Sequence, residues 1–439
     1  SVKQTAGRLE FSRCRSRADG GGFAVKGQVW AAHVLHAEGC NSSAGGGGGS
    51  VAGSFYQDGE SLSNFTACRA KGGGGGLRVG RSFVQSSKKA LFFACTASYG
   101  GGLSSADAII SANVGFSGCQ ADQGGGGGAL VNGSLLQQGG IFAFLTCSSA
   151  QAGGGLQVRD TFNQTSGSAV FRGCVARRNG GGMEVGSAWL AGSVDFSKCT
   201  VGHQSCRDKA RGGGLEVRGT VVITGSTKFD RCEANSGGGL SAERLVSRGE
   251  VEFAACSAVC ELNGEGGAGA LVHGDVLQDG GKLRFRGCKS ERDGGGLQVG
   301  GRFEQSSGSA FFDACSAKAS GGGLQVRDTF NQTGMESTAT LSFQHCTAGG
   351  EGGGALVRRD FFQDGGNLKF EDCNSSSDGG GLHVEGRFQQ SRGSAHFESC
   401  FAIGSGGGMN VKKGVSWHGL YGYFEKCNAA GSSGLDELS

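Results

Sequence analysis

The sequence predicts an all-β fold, a single parallel β-helix (β-solenoid) of about sixteen coils with three short strands per coil. Three observations predict it. One segment recurs along the whole 439-residue chain, with its clearest copy at 294–315, GGGLQVGGRFEQSSGSAFFDAC. Each copy holds three short runs in which apolar residues alternate with others, the signature of strands rather than helices. The small-residue corners between those runs draw on 91 glycines, while proline, which cannot donate to a strand ladder, is absent.

The repeat sets the period. Sixteen cysteines, from Cys14 to Cys427, recur at spacings of 24 to 33 residues, most often 27. Fifteen of them stand in Phe-x-x-Cys, as in Phe171/Cys174 and Phe343/Cys346; Cys40 has Ala37 in place of the Phe. Between successive cysteines lies a glycine cluster, such as 20–22, 72–76, 153–155 or 406–408. GGGLQVRDTFNQT occurs twice verbatim, from Gly153 and from Gly321. Strands this short stack only on their equivalents in the next unit, which rises about 4.8 Å. A leucine-rich repeat lacks its L-x-x-L-x-L core here, and a propeller blade needs about 40 residues.

Each element of a coil then receives a role. In the first strand Leu and Val point inward, as in Leu156/Val158 and Leu382/Val384. In the second, the inward apolar residue is Phe55, Phe83, Leu135, Phe162, Trp189, Val276, Phe303, Phe330, Phe361 or Phe388. Two residues later comes a glutamine in nine coils: Gln57, Gln85, Gln137, Gln164, Gln278, Gln305, Gln332, Gln363 and Gln390. Pointing inward, these amides need partners, and stacking predicts an internal amide ladder. The third strand places an apolar residue two before the Phe of Phe-x-x-Cys, as in Val194/Phe196. Glycine clusters turn the third-strand side of the coil back to the first strand. A dinucleotide-type glycine loop is excluded, because a strand and not a helix follows. The ladder cysteines lack C-x-x-C spacing and partner histidines, so they read as buried thiols and not as metal ligands.

Two coils are swollen, with insert loops at 200–211 and 257–268. Each carries one of the two off-ladder cysteines, Cys206 and Cys260, which are expected to form a disulfide. Candidate N-glycosylation sequons stand at Asn41, Asn64, Asn132, Asn163, Asn331 and Asn374. A net charge of +3 with mixed signs argues against nucleic acid or an anionic membrane as a partner. No run of 18 apolar residues exists, so no membrane-spanning helix is expected. The chain starts at Ser1 without Met, and a processed product or a segment of something longer is expected.

Gly-Gly-Gly-Leu-x-Val followed by Phe-x-x-Cys resembles the repeats of the polymorphic outer-membrane-protein family of autotransporter adhesins, which carry G-G-A-[ILV] and F-x-x-N. Gly294–Leu297 and Phe312–Cys315 stand at the matching places, with Cys for Asn and a third Gly for Ala. The likeness runs through essentially the whole chain, without the family's C-terminal barrel. It implies a right-handed β-helix on a cell surface, with a role in adhesion.

The expected function is therefore a non-enzymatic extracellular or cell-surface rod for adhesion, matrix, surface coat or filament. Its partners would be other rods of the same kind or an extracellular protein or glycan surface. No cofactor, metal or catalytic residue is assigned. The alternative is a carbohydrate-active β-helix enzyme, a lyase or hydrolase, which needs clustered carboxylates on one outer face. Only Glu184 and Glu216 recur at one outward first-strand position, and this pair reads as a solvated face. Ice binding would need a regular, Thr-rich outer column, whereas Arg78, Ser104, Leu130, Gln157, Glu184 and Glu216 are irregular. The candidate interface is a stripe on the outer face of the second strand: Tyr56, Val84, Ile110, Leu136, Leu190, Val222, Val246 and Leu277. Such apolar stripes mark interfaces on soluble proteins.

Overall fold

A computed structural model describes residues 1–59, 61–202, 209–261, 265–334, 339–418 and 421–431. It divides into two compact units: Ser1–His203 with Gly213–Arg218, and Gln204–Gly212 with Gly219–Ser439. Both are built alike. The described residues form strands and turns with no helix among them. Strands pair in parallel with their equivalents one repeat later, giving a β-solenoid of about fifteen turns. In the second unit Leu297 pairs with Leu324, Phe303 with Phe330 and Phe312 with Phe343.

The coil has one more strand than the periodicity shows. Leu297–Val299 is the first strand, and the second and third run together as Phe303–Asp313. A fourth strand of two residues, Ser316–Ala317, follows Cys315 and pairs with Thr347–Ala348. Its counterparts recur after each ladder cysteine, eight in each unit. Elsewhere the first and second strands fuse instead, as in Leu77–Gln85.

The three glycines do three different things. Gly294 has φ of +61°, a conformation that costs an L side chain roughly 1–2 kcal/mol. A methyl on Gly295 would stand 2.5 Å from the Ser316 carbonyl oxygen. A methyl on Gly296 would stand 2.7 Å from Cδ1 of Phe312. So the third glycine is the seat of the Phe-x-x-Cys ring, and the two halves of the motif are one contact. The same pairing recurs at Gly76/Phe92, Gly102/Phe116, Gly323/Phe343 and Gly408/Phe424.

Tracts of five glycines have a further cause. A side chain at Gly45 would run into Arg78, one at Gly73 into the Tyr99 ring, and one at Gly125 into the Gln157 amide. The added glycines leave room for a larger side chain of a neighbouring coil. Arg78 uses that room to reach Asp19 at 3.0 Å, 59 residues back.

Inside, like stacks on like. In the first unit the ring centroids of Phe92, Phe116, Phe144, Phe171 and Phe196 follow one another at 4.7–4.9 Å with planes within 12°. In the second unit Phe253, Phe285, Phe312 and Phe343 do so at 4.7 Å. Strand spacing near 4.8 Å sets this distance, and each offset pair adds about 0.5–1.5 kcal/mol beyond burial.

The nine inward glutamines are all buried. The Gln305 amide donates to Oε1 of Gln278 at 3.1 Å and Gln332 donates to Gln305 at 2.9 Å, so the ladder runs backward along the chain. The amides also donate onward, to the main-chain carbonyl that opens the third strand one coil later: Gln137 to Ser168 and Gln305 to Thr340, both at 3.0 Å. Buried polar groups thus staple the second strand to the next coil.

The sixteen ladder cysteines are free thiols, and all but Cys14 and Cys427 are buried. Each lies close to main-chain carbonyls; Cys95 Sγ is 3.3 Å from the Phe65 oxygen, and Cys315 Sγ is 3.5 Å from that of Phe285. The residue before every ladder cysteine has φ between 49° and 62°, and only Gly39, Gly118, Gly173 and Gly287 are glycines there.

These corners make opposite predictions for opposite swaps. Gly296→Ala should lower stability by about 1–3 kcal/mol, because the methyl has no space against Phe312. Ala314→Gly, at φ of 50°, should raise it by up to about 1 kcal/mol. Urea-denaturation midpoints check both, and a harmless Gly296→Ala would contradict the account.

Candidate interaction surface

The outer face of the second strand carries the candidate stripe, and register fixes its members. In the first unit the column runs Trp30, Tyr56, Val84, Ile109, Leu136, Asn163 and Trp189. Two predicted members fall out of it. Ile110 pairs with Gln137 and Leu190 with Gln164, and both are buried. Trp189, expected inside, is 52% exposed.

The reason is corner length. Six residues separate Leu77 from Phe83, but five separate Leu103 from its equivalent, Ala108; Met183 and Ala188 are likewise five apart. Losing one residue flips every later side chain of that strand to the other face. Alternation looks equally good in either register, so the strand pattern alone could not reveal the slip. Comparing the corner lengths of successive coils could have found Ile109 and Trp189.

The corrected column is more aromatic than predicted. Trp30 and Tyr56 stack with centroids 5.4 Å apart and planes 12° apart. Tyr56, Val84 and Leu136 are half-buried; Asn163 and Lys3, which pairs with Trp30 at the start of the column, are the polar members. In the second unit Val222 is buried, whereas Val246 and Leu277 are half-buried. Polar residues then dominate, with Glu304, Asn331, Gln389 and Ser416 interrupted only by Phe362. Of the sequon asparagines, Asn132, Asn163 and Asn374 are exposed, and Asn41, Asn64 and Asn331 are half-buried.

The outer column of the first strand is not a solvated face. Glu184 and Glu216 are each 7% exposed, and Ser241, Gln298, Gln325 and His383 are buried completely or nearly so. The glycine corner curls over them: the Gly266 amide donates to Oε1 of Gln298 at 2.5 Å, and Gln298 donates to Gln325 at 2.7 Å. Glu184 accepts from the Gln157 amide at 2.5 Å and faces the Arg218 guanidinium at 3.5 Å. Its charge is therefore compensated beneath the surface, in an arrangement that holds coils together and offers no open carboxylate pair.

His383 is an unsatisfied member of this column, buried completely. Neither ring nitrogen has a hydrogen-bond partner. Burial pushes the ring below the usual imidazole range, and Lys412 adds to this against Glu351, Asp378 and Glu385. At His273 burial acts the same way, helped by Arg211 and opposed by Glu265.

Thiol chemistry is muted by the same burial. It pushes Cys40 up to about 11 and raises Cys95, Cys147 and Cys346, whereas hydrogen bonds from neighbouring ladder thiols lower Cys68 and Cys288. Either way the sulfurs are inaccessible, and inaccessible thiols are poor nucleophiles and poor metal ligands. Cys260, in contrast, is disulfide-bonded. Its predicted partner, Cys206, lies outside the described residues. Among the described residues no group of His, Cys, Asp and Glu is arranged to hold a metal ion, and no helix is long and apolar enough to cross a membrane.

Fold and surface together define a parallel β-solenoid with a sealed interior and an apolar outer column. No protein-family model matches the chain, and no curated protein or solved structure matches it either.

The unpartnered imidazole makes a pH-dependent prediction. In the unfolded chain His383 titrates near its ordinary value of about 6.5, above its folded value. As pH falls through about 6.5 the unfolded state binds the extra proton, so stability is lost until the folded value is passed. His383→Leu, which continues the column from Leu356, should remove that loss. Its advantage over the wild type should be larger by about 1 kcal/mol at pH ~5 than at pH ~7.5. An advantage independent of pH would contradict the assignment.

Proposed function

We propose that the protein is a non-enzymatic structural or adhesive β-solenoid of the cell exterior, and that it acts by lateral contact between copies along the outer second-strand face. The observation that carries the reading is the column Trp30, Tyr56, Val84, Ile109, Leu136 and Trp189 of the first unit. A solvated sheet face normally carries polar residues outward, and aromatic residues are enriched where protein surfaces meet. A repeating column suits a second copy, because the same surface recurs at the same spacing.

Three further features support the setting. The disulfide at Cys260 fits an oxidising compartment. Burial shields the fourteen inner thiols from that environment, so one disulfide and many free thiols coexist. The repeat's resemblance to autotransporter adhesins adds the surface role, with a coat, matrix or filament as the assembled form. An extracellular protein or glycan surface is the other partner this chemistry would suit.

Lysines at Val84, Ile109 and Leu136 should leave the fold intact, because all three side chains face outward. They should weaken self-association at least ~100-fold, since roughly 3 kcal/mol of apolar contact would be replaced by like charges. Sedimentation equilibrium reads this directly. A wild type that stays monomeric at high concentration, or a triple variant that associates unchanged, would overturn the proposal.

A further inference from the structure

A second apolar feature of the first unit lies on the outer face of its third strands, with a shape the stripe lacks. It is a groove of about 510 Å³. Lys89, Leu91 and Phe93 form one wall, and Ile141, Ala143 and Leu145 the other. The strand between them, Asn113–Ser117, is the floor, with Gly115 at its centre paired to Leu91 and Ala143. Phe93 is 54% and Ile141 52% exposed, so the walls stand open to solvent.

Gly115 is not explained by the fold. The glycines of the clusters that precede the first strand are blocked by neighbouring backbone, rings or side chains, and Gly422, the other glycine inside a third strand, is blocked by Trp417. At Gly115 the backbone is unstrained, and the sole atom near an added methyl is Cδ2 of Leu91 at 3.1 Å. Glycine weakens a strand, and where no packing requires it, it marks close approach by another molecule.

The lining also says what kind of molecule. Lys89 is its one formally charged side chain, and it sits at the end where Asn113 and Ile141 lie; the other end is Phe93, Ser117 and Leu145. The floor strand is already paired on both sides, so an extended peptide would gain no main-chain hydrogen bonds there. Its polar backbone would instead be desolvated against apolar walls. A hydrocarbon chain carries no such cost. Five residues of floor give a trough roughly 13 Å long, between walls roughly 10 Å apart. We infer that the groove over Gly115 binds an unbranched medium-chain acyl anion, with its carboxylate at Lys89 and its tail running toward Phe93 and Leu145.

The inference is independent of self-association, and its test uses the whole chain made without N-glycosylation, because Asn64 borders the groove. Titration calorimetry with dodecanoate should show one site. Gly115→Leu and, as a second filling variant, Ala143→Phe should each weaken binding at least tenfold with an unchanged circular-dichroism spectrum. Lys89→Glu should weaken dodecanoate at least tenfold and leave dodecanol unaffected. No saturable binding of dodecanoate, equal binding by both filled variants, or dodecyltrimethylammonium bound as tightly as dodecanoate would overturn it.

Discussion

One contact organises the molecule: the phenylalanine ring of Phe-x-x-Cys lying on the third glycine of the cluster that opens its own repeat. Gly296 and Phe312 show it, at a distance that leaves no room for a methyl. The ring stacks on its equivalents above and below at the rise the strand ladder sets, and the glycine brings the corner close enough to close the coil. Because both groups repeat, each coil is a template for the next. The buried glutamines add direction to the stack, since an amide such as that of Gln305 reaches both backward and forward.

That arrangement fills the interior with columns of one residue type, and it limits where the protein can act. Phenylalanine, glutamine and cysteine are consumed by their own stacks. Even the nominally outward side of the first strand is taken, because the glycine corner folds over Gln298, Gln325 and His383. The outer faces of the second, third and fourth strands stay open. On those of the second and third the first unit concentrates its apolar side chains, in the column from Trp30 to Trp189 and around the Gly115 groove. The functional readings rest on that asymmetry between a sealed inside and an apolar outside.

Much of this was legible in the sequence, because it rests on local periodicity. The strands, the inward Phe and Gln columns and the buried thiols follow from alternation and spacing alone. What was hidden depends on relations between coils. The fourth strand is two residues long, too short for any periodic signal. The burial of Glu184, Glu216 and His383 depends on where a glycine corner lands, which alternation within a strand does not encode. Ile110 and Leu190 were misplaced by a corner one residue shorter than its neighbours, a difference that reverses faces without disturbing alternation. Gly115 carries no signal of its own among 91 glycines, because its open surroundings, with only the Leu91 side chain near an added methyl, are a property of the stacked coils.

The sealed interior is the claim on which the rest depends, and thiol counting tests it most directly. Native protein treated with iodoacetamide, without reductant, should take up at most two adducts by intact mass, at Cys14 and Cys427, the two half-buried ladder thiols. After denaturation and reduction all 18 cysteines should react. Rapid native labelling of the ladder between Cys40 and Cys400 would mean that the columns are open to solvent, and the account would be wrong at its root.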